Sequence, residues 1–320
     1  MKEIDLPRIQ RSFFSKHWSW QIGESDPCEK TAGAELARRL PHIEPESWGL
    51  RFALGGAYVA GRPAAYETPV EPPCRIEYYE PLFDPSHADT FYPQFDPGMV
   101  IVEDGDIGVA YKPPGLPSTP ARDQQRFHMQ GFLEAHFQAP IHLPSRLDTG
   151  VAGLLIFSRS MRGNRWCQKA QERRLVEKTY LCEVSGSLES DCIDVARRLC
   201  RDERHPVLRR TVDVGGEEAL TKLCVLGRRQ GQSRSLVQAR PITGRTHQIR
   251  VHCAAEGVPI VGDPLYGGAD GPELRLVSYA ISFFHPFQQR QLRIELPDGL
   301  RAPWLKEVEQ ELGPVVLRKL

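Results

Sequence analysis

The 320-residue chain lacks several features that would place it in a specialised class of protein. Its eight cysteines include no C-x-x-C pair, so their spacing suggests neither a zinc ribbon nor a thioredoxin-like dithiol. We expect free thiols in a reducing cytoplasm. No apolar run approaches the length of a membrane span, and the first residues lack the apolar core of a signal peptide. The length and composition therefore predict a cytoplasmic protein of one large or two modest domains.

The chain also lacks net charge, but its charges are unevenly distributed. Residues 1–100 hold 10 Lys and Arg against 15 Asp and Glu, whereas residues 146–250 hold 21 against 12. Basic runs lie at 159–174 and 197–210, and arginine, which pairs bidentately with phosphate, predominates. Such a run is usually a solvated helix face. Their clustering around one candidate cleft favours a phosphate-binding track.

The stretch 240–268 is the most informative part of the sequence because it concentrates arginines, histidines and a glutamine around a turn. A strand ends there, Thr246 is a plausible N-cap, a helix is predicted over 247–256, and Gly257 ends it. Arg245 then lies at a strand-to-helix corner, where a guanidinium can reach into a cleft and hold an anion. A surface helix with a polar face explains the same pattern equally well.

A second polar segment precedes a buried strand. Residues 144–153 lead directly into the apolar run 154–157, which predicts a buried strand. Asp148 is therefore placed in the loop before that strand. Taken alone, an aspartate near a glycine is ordinary turn chemistry.

Together the two segments resemble the RluA-like family of pseudouridine synthases. The family's Arg-Leu-Asp motif and its Arg-Pro-x-Thr-Gly-Arg-Thr-His-Gln-Ile-Arg-x-His signature are both present, and three further motifs follow in the expected order. The five segments are 111–117, 145–148, 177–180, 240–252 and 257–267. The resemblance covers about residues 98–300, and five ordered motifs rarely coincide by chance.

The resemblance implies an RNA-modifying enzyme that breaks the C1′–N1 bond of uridine and rejoins the uracil through C5. Nothing is oxidised, so we expect no redox cofactor. The resemblance assigns Asp148 as the nucleophile, since an ionised carboxylate can attack C1′. It assigns Arg245 as the cation that keeps this aspartate ionised, and Tyr180 as the residue that stacks on the uracil and takes part in proton removal from C5.

Four further residues are expected to contact the RNA. The resemblance implies that Arg146 fills the space left when the target base flips out of its stack. His247, Arg250 and Arg240 are predicted to bind RNA from the signature segment. The i, i+5 spacing of the two histidines differs from the i, i+4 pair of a zinc protease, and we expect no metal. The expected partner is an rRNA or tRNA stem-loop, bound by a monomer that does not bind membranes.

The predicted fold class is α+β, with a mixed, largely antiparallel sheet, because short strands and helices alternate irregularly. We predict an N-terminal arm over 1–28, a module resembling the αL RNA-binding module over 29–80, a linker over 81–97 and the catalytic domain over 98–320. The module is normally basic, yet residues 30–80 hold 6 Lys and Arg against 7 Asp and Glu. A working RNA module and a structural remnant are both consistent with that balance.

The sequence departs from the family pattern at three places. Ser145 stands in place of a histidine, Val151 and Ala152 in place of Thr-Ser, and Val277 and Ser278 follow Leu276 where the family has Leu-His-Ala. These changes leave the proposed chemical residues in place and indicate a divergent, active subgroup. One alternative is a non-catalytic RNA-binding protein or RNA chaperone. Another is a glycosidase or nucleosidase, which would require a second catalytic carboxylate.

Overall fold

The structure, a computed structural model, describes residues 16–203, 207–268 and 271–319. The chain separates into two compact units. Of the described residues, the smaller unit holds 16–95 and 116–137, and the larger holds 96–115 and 138–319. No helix in the described ranges is long and apolar enough to cross a membrane.

The smaller unit is a four-stranded antiparallel sheet with helices, in the strand order β1-β4-β2-β3. Its elements are β1 His17–Ile22, α1 Ala32–Arg39, α2 Trp48–Leu54, β2 Ala57–Val59, β3 Arg62–Pro63, β4 Cys74–Tyr79, α3 Ala88–Phe91 and α4 Met129–Phe137. The Thr31 hydroxyl caps α1 by accepting from the Ala34 N–H at 3.3 Å, and α2 ends at Gly55 in a left-handed conformation (φ 93°). Two short helices, α1 and α2, and the paired strands β2 and β4 thus lie within the region 29–80 that resembles the αL module.

Part of the predicted N-terminal arm is a strand. β1 pairs with β4 along its whole length, from His17 opposite Tyr79 to Ile22 opposite Cys74. The arm prediction is therefore wrong for these residues, because tertiary pairing orders a segment too short to be recognised from its own pattern. The first fifteen residues of the predicted arm lie outside the described ranges.

The larger unit is built on a nine-stranded sheet in the order β5-β6-β7-β14-β8-β13-β12-β9, with β15 paired to β14. Its strands are β5 Val100–Glu103, β6 Ile107–Lys112, β7 Ala152–Ser158, β8 Val176–Ser185, β9 Cys192–Ala196, β12 Leu220–Arg228, β13 Arg234–Pro241, β14 Leu276–His285 and β15 Arg290–Glu295. β10 Arg198–Arg201 and β11 Arg209–Val212 form a separate two-stranded ribbon. The helices are α5 Met161–Glu172, α6 Gln248–Ala255 and α7 Pro303–Leu312.

The strand directions confirm the predicted fold class. β7 and β14 pair in parallel, and the other pairs of the large sheet are antiparallel. A single core joins the sheet to two helices, with Cys167 of α5 and Leu305 of α7 both buried beside Leu181 of β8. This packing, which removes large apolar side chains from water, holds the central strands that position the candidate site.

The expectation of free thiols is wrong for one cysteine pair. The antiparallel pairing of β9 with β12 places Cys192 opposite Cys224, with their Cα atoms 4.1 Å apart, and a disulfide joins them. The two residues are 32 positions apart in sequence, so their juxtaposition arises from a strand pairing that the cysteine spacing does not show. The other six cysteines are free.

Candidate active site

Asp148 lies in a tight loop that leads into β7. Its carbonyl accepts a hydrogen bond from the Val151 N–H at 3.0 Å, which closes the turn. Gly153 has a φ of 117°, and a Cβ there would overlap the Ser278 carbonyl of β14. Glycine therefore permits the close parallel approach of β7 and β14 that places this loop. The Asp148 side chain keeps 29% of its surface exposed, so its carboxylate is open to a substrate.

Arg250 is the cation that Asp148 contacts. Arg250 Nη1 lies 3.1 Å from Asp148 Oδ2, and His247 Nε2 lies 3.7 Å from the same oxygen. Arg250 belongs to the first turn of α6 and is 5% exposed. The helix thus places the buried guanidinium of Arg250 beside the carboxylate of Asp148.

A second carboxylate holds Arg250 in place. Asp263 Oδ2 accepts from Arg250 Nε and Asp263 Oδ1 accepts from Nη2, both at 2.8 Å. Backbone N–H groups of Leu265 and Tyr266 also donate to Asp263 Oδ1, at 2.9 and 3.3 Å. This fork geometry orients the guanidinium toward Asp148. Arg250 is therefore buried in a chain of ion pairs, and its predicted RNA contact stays a prediction.

His247 is a neutral ring that lies between Tyr266 and Asp148. The Arg209 N–H donates to Tyr266 Oη at 3.0 Å, and Tyr266 Oη lies 2.8 Å from His247 Nδ1. The Tyr266 hydroxyl can donate its proton to Nδ1, and the tautomer that accepts it carries the ring N–H on Nε2, 3.7 Å from Asp148 Oδ2. Burial lowers the pKa of His247 to about 4.

His247 is also the N-cap of α6. Its backbone is left-handed, with a φ of 57°, so the helix begins at Gln248. The prediction that the helix begins at 247, with Thr246 as its N-cap, is therefore wrong by one residue.

Lys112 is a further functional candidate, which was not among the site residues predicted from the sequence. It is fully buried at the end of β6, and its Nζ donates to the carbonyls of Pro113 at 2.9 Å and Thr149 at 3.2 Å. Burial lowers the pKa of Lys112 to about 7, although the charge of Asp148 opposes that shift. The available signal was its place in the resembling segment 111–117, directly after an apolar strand.

These neighbours together keep Asp148 ionised. Burial would raise the pKa of Asp148, but His247, Arg250 and Lys112 favour the charged form, and the pKa lies below its usual value. Because the His247 ring is neutral at pH 7, Arg250 provides the permanent positive charge. The arrangement can present an ionised, partly exposed carboxylate to an electrophilic carbon.

Tyr180 lies beside this carboxylate on β8. It stands opposite Ser278 in the pairing of β8 with β14, and it is 9% exposed. Burial and then the charge of Asp148 raise the pKa of Tyr180, so its hydroxyl is protonated at neutral pH. Tyr180 therefore lies close enough to Asp148 to respond to its charge, and its catalytic role stays a prediction.

Arg245 does not lie against Asp148, and this geometric expectation is wrong. Arg245 Nη1 binds Glu217 Oε1 at 2.7 Å, and its Nε donates to the Glu218 carbonyl at 3.0 Å. The residue precedes α6, whereas Arg250 follows within the helix's first turn. The signature contains both Arg245 and Arg250. Only the three-dimensional path of the chain shows that Arg250 is the one that contacts Asp148.

The remaining predicted RNA contacts differ in their surroundings. Arg146 is exposed, two residues before Asp148, and makes no ion pair with any residue that the structure describes. Arg240 binds Glu177 at 2.6 Å. In the basic run 159–174, Arg159 pairs with Glu103 at 2.7 Å and Arg162 pairs with Asp106. Part of the positive charge that the sequence concentrates here is compensated locally.

Comparison with known proteins agrees with this architecture. The solved structure of human RNA pseudouridylate synthase domain containing 1 is similar with a TM-score of 0.52 and 23% identity, covering 67% of this chain and 93% of that one. This likeness shows the pseudouridine synthase fold. Residues 106–255 match the RNA pseudouridylate synthase family.

Two bacterial relatives extend the match. The dual-specificity RNA pseudouridine synthase RluA of Vibrio cholerae is 32% identical over 201 residues, which are 61% of this chain and 81% of that protein. The RNA pseudouridine synthase YhcT of Bacillus subtilis is 29% identical over 219 residues, covering 66% of this chain and 72% of that protein. The chain belongs to the RluA-like family of RNA pseudouridine synthases and is an isomerase.

Proposed function

We propose that this enzyme converts specific uridines in structured rRNA or tRNA to pseudouridine, with Asp148 as the nucleophile. One observation carries the proposal. Asp148 is a partly exposed carboxylate whose positive partner, Arg250, is itself buried and fixed by Asp263. A carboxylate that is ionised, oriented and open on one side is suited to attack a carbon that develops positive charge.

The proposed steps leave atoms and electrons balanced. An Asp148 oxygen attacks C1′ of the uridine as the C1′–N1 bond breaks, so the bonding electrons leave with the uracil ring. The ring turns over and C5 attacks C1′, which expels the Asp148 carboxylate. C5 then loses its proton and N1 gains one, so the product is an isomer of the substrate. No step requires an oxidant, a reductant or a cofactor.

The surrounding side chains suit this sequence of steps. Tyr180 is a neutral phenol beside Asp148, so it is suited to stack on the uracil and to relay a proton through its hydroxyl. Arg250 stabilises the carboxylate before attack and after expulsion. Arg146, exposed near the Asp148 loop, is placed to fill the gap left by a flipped base.

The geometry also weighs against simple hydrolysis of the glycosidic bond. A glycosidase needs a second carboxylate that can reach the substrate. Asp263 is the carboxylate that shares Arg250 with Asp148, but its side chain is fully buried and both of its oxygens are bonded to Arg250. Asp263 is therefore suited to positioning, not to activating water.

The RNA-binding role of the smaller unit remains a prediction. Two helices and a sheet occupy the region that resembles the αL module. The described cations there include Arg51 and Arg75, which are paired with Glu80 and Glu77. We propose that the enzyme acts as a monomer and that its main grip on RNA lies in the larger unit.

Mapping of pseudouridine across the transcriptome would test the proposed function. A strain lacking this gene would be complemented with the wild type, with Asp148→Asn, or with the exposed control Asp298→Asn. We expect a site that vanishes in the deletion, returns with the wild type and the control, and stays absent with Asp148→Asn. In purified form, Asp148→Asn should lose at least roughly 10³-fold in rate, with RNA affinity unchanged within a few-fold. Turnover by Asp148→Asn near the wild-type rate would remove Asp148 from the nucleophile's role.

A further inference from the structure

Tyr266 contacts both of the side chains that lie against Asp148 Oδ2. Its hydroxyl lies 2.8 Å from His247 Nδ1, and the two rings meet edge to face with their centroids 5.7 Å apart. The guanidinium carbon of Arg250 lies 5.2 Å from the centre of the Tyr266 ring. The Tyr266 N–H also donates to Asp263 Oδ1, which itself accepts from Arg250. Tyr266 was not among the site residues predicted from the sequence, yet it joins the partners of Asp148 to one another.

The contacts of Asp148 distinguish its two carboxylate oxygens. Arg250 Nη1 lies 3.1 Å from Oδ2, and His247 Nε2 lies 3.7 Å from the same oxygen. Among the residues that the structure describes, none donates a hydrogen bond to Oδ1. Because the Asp148 side chain is 29% exposed, Oδ2 is the oxygen held by the protein and Oδ1 is the oxygen available to a substrate carbon.

Two neighbours favour one tautomer of the neutral His247 ring. The Tyr266 hydroxyl accepts from the Arg209 N–H at 3.0 Å, so one of its lone pairs is occupied and its proton can be directed to Nδ1. With the ring proton on Nδ1, the lone pair of Nε2 would face the negative Asp148 Oδ2, which is repulsive. With the proton on Nε2, both contacts are attractive, so each hydrogen bond supports the other.

The ring of Tyr266 has a separate contact, with Arg250. Its distance of 5.2 Å from the guanidinium carbon lies within the roughly 6 Å over which an aromatic face attracts a cation. Arg250 is thus held by the bidentate Asp263 and by the Tyr266 ring. The hydroxyl serves His247 and the ring serves Arg250, so a phenylalanine at position 266 removes the first contact and keeps the second.

We propose that Tyr266 is a positioning residue for the reaction: its hydroxyl fixes His247 with the Nε2 proton toward Asp148 Oδ2, so that Oδ1 is presented to C1′ of the uridine. The inference rests on the proposed function, in which Asp148 is the nucleophile. In this role Tyr266 neither touches the substrate nor exchanges a proton with it. A carboxylate that rotates freely presents its attacking oxygen in many directions, and a restraint on Oδ2 raises the productive fraction.

Steady-state kinetics of hydroxyl removal would test the proposal. The substrate is a stem-loop RNA that contains the uridine found by transcriptome mapping, and every variant is the full-length chain. We expect Tyr266→Phe to lower kcat about tenfold with KM within about twofold, because the hydroxyl orients the nucleophile and does not bind RNA. Tyr266→Leu, which also loses the ring beside Arg250, should lower kcat on the order of 100-fold.

Tyr279→Phe is the matched control. It removes another tyrosine hydroxyl of the same unit that accepts from an arginine, Arg301, at 3.1 Å. We expect its kcat to stay within about twofold of the wild type, since this hydroxyl contacts no side chain of the candidate site. An equal loss of kcat in Tyr279→Phe and Tyr266→Phe would overturn the proposal. So would a rise in KM with kcat unchanged in Tyr266→Phe.

A double-mutant cycle separates action through His247 from a general loosening of the fold. If the hydroxyl acts through this ring, Tyr266→Phe will have no further effect on kcat in a chain that already carries His247→Gln. Additive losses of kcat would overturn the proposal, because the hydroxyl would then act by another route.

Nitrogen-15 NMR of histidine-labelled protein reads the tautomer without any turnover. At neutral pH we expect a protonated Nε2 and an unprotonated Nδ1 for His247, whose signals are identified by their loss in His247→Gln. Tyr266→Phe should move the Nδ1 signal, because that nitrogen loses its hydrogen-bond donor. A wild-type ring with its proton on Nδ1 would overturn the proposal, as would a Tyr266→Phe spectrum identical to that of the wild type.

Failure of the proposed function would look different. In that case the wild type would form no pseudouridine, or Asp148→Asn would keep the wild-type rate, while the His247 tautomer would be as expected. Failure of this inference alone would leave an enzyme that requires Asp148 and whose kcat does not depend on the Tyr266 hydroxyl.

Discussion

Arginines at the two ends of one short segment have opposite surroundings. Arg250 lies in the first turn of α6, is 5% exposed, and contacts both Asp148 and Asp263. Arg245, five positions earlier, lines an open cleft with Arg201 and Arg209. In the buried region the charge of Arg250 is paired with Asp148 and Asp263, and it favours the ionised form of Asp148. In the open region Arg245 is paired with the exposed Glu217. Two arginines of one segment therefore differ in burial and in the carboxylates that they contact.

The largest expected difference between the two regions is in catalytic rate. Arg250→Lys keeps a charge but loses the fork that joins two carboxylates, so we expect kcat to fall on the order of 100-fold. Arg245→Lys should change kcat by less than about threefold and act mainly on KM. Steady-state kinetics with thermal unfolding of both variants would measure this. A greater loss of kcat in Arg245→Lys would restore Arg245 as the functional partner of Asp148.

A smaller effect is expected from the residue that positions Arg250. Asp263→Asn keeps the shape of the side chain but removes one half of its ion pair, so the guanidinium loses orientation. We expect kcat to fall about tenfold with KM nearly unchanged, since misplacement of a catalytic group by a fraction of an ångström is costly. Asp298→Asn, an exposed aspartate paired with Arg301, is the control. If KM rises while kcat holds, Asp263 shapes RNA binding instead of positioning Arg250.

The smallest expected effect is on stability and comes from Lys112. Its folded pKa of about 7 lies below the unfolded value of about 10.4, so the unfolded chain binds more protons between these values. Stability therefore rises with pH in that window, by about 1 to 2 kcal/mol between pH 7 and 8.5. Lys112→Met should remove this contribution, leaving a weaker rise from Lys178, whose pKa burial lowers to about 8. Urea unfolding at several pH values would measure the slopes, and an unchanged slope in Lys112→Met would mean that Lys112 stays charged when folded.

Local patterns predicted the strands that surround the site. The apolar run at 154–157 lies within β7, and the segment with Tyr180 lies within β8, because a fully buried strand reads as a short apolar or alternating run. Strands at the edges of the sheets carry no such pattern. β9, the β10–β11 ribbon and β15 are short or polar, and they are strands because a neighbour supplies their hydrogen bonds.

The sequence named several residues of the candidate site, but it did not predict which of them contact one another. Asp148 and Tyr180 lie close enough for the charge of Asp148 to act on the Tyr180 hydroxyl, and both belong to segments whose resemblance to the family is specific. Asp263 lay inside a recognised segment, yet its contact with Arg250 depends on how the chain after α6 returns to the helix. The motif also does not reveal burial, and only the structure shows that Arg250 is a buried partner of two carboxylates.

The sequence by itself determined the family and the α+β class, and it predicted Asp148 as a candidate nucleophile, because these follow from residue types at fixed local spacing. Only the tertiary structure decided which arginine contacts Asp148 and which cysteines meet. Those outcomes depend on distances between segments far apart in the chain and on exclusion of water, since a charge is worth far more against a buried partner than in solvent. The direction in which Arg245 and Arg250 point is the clearest example.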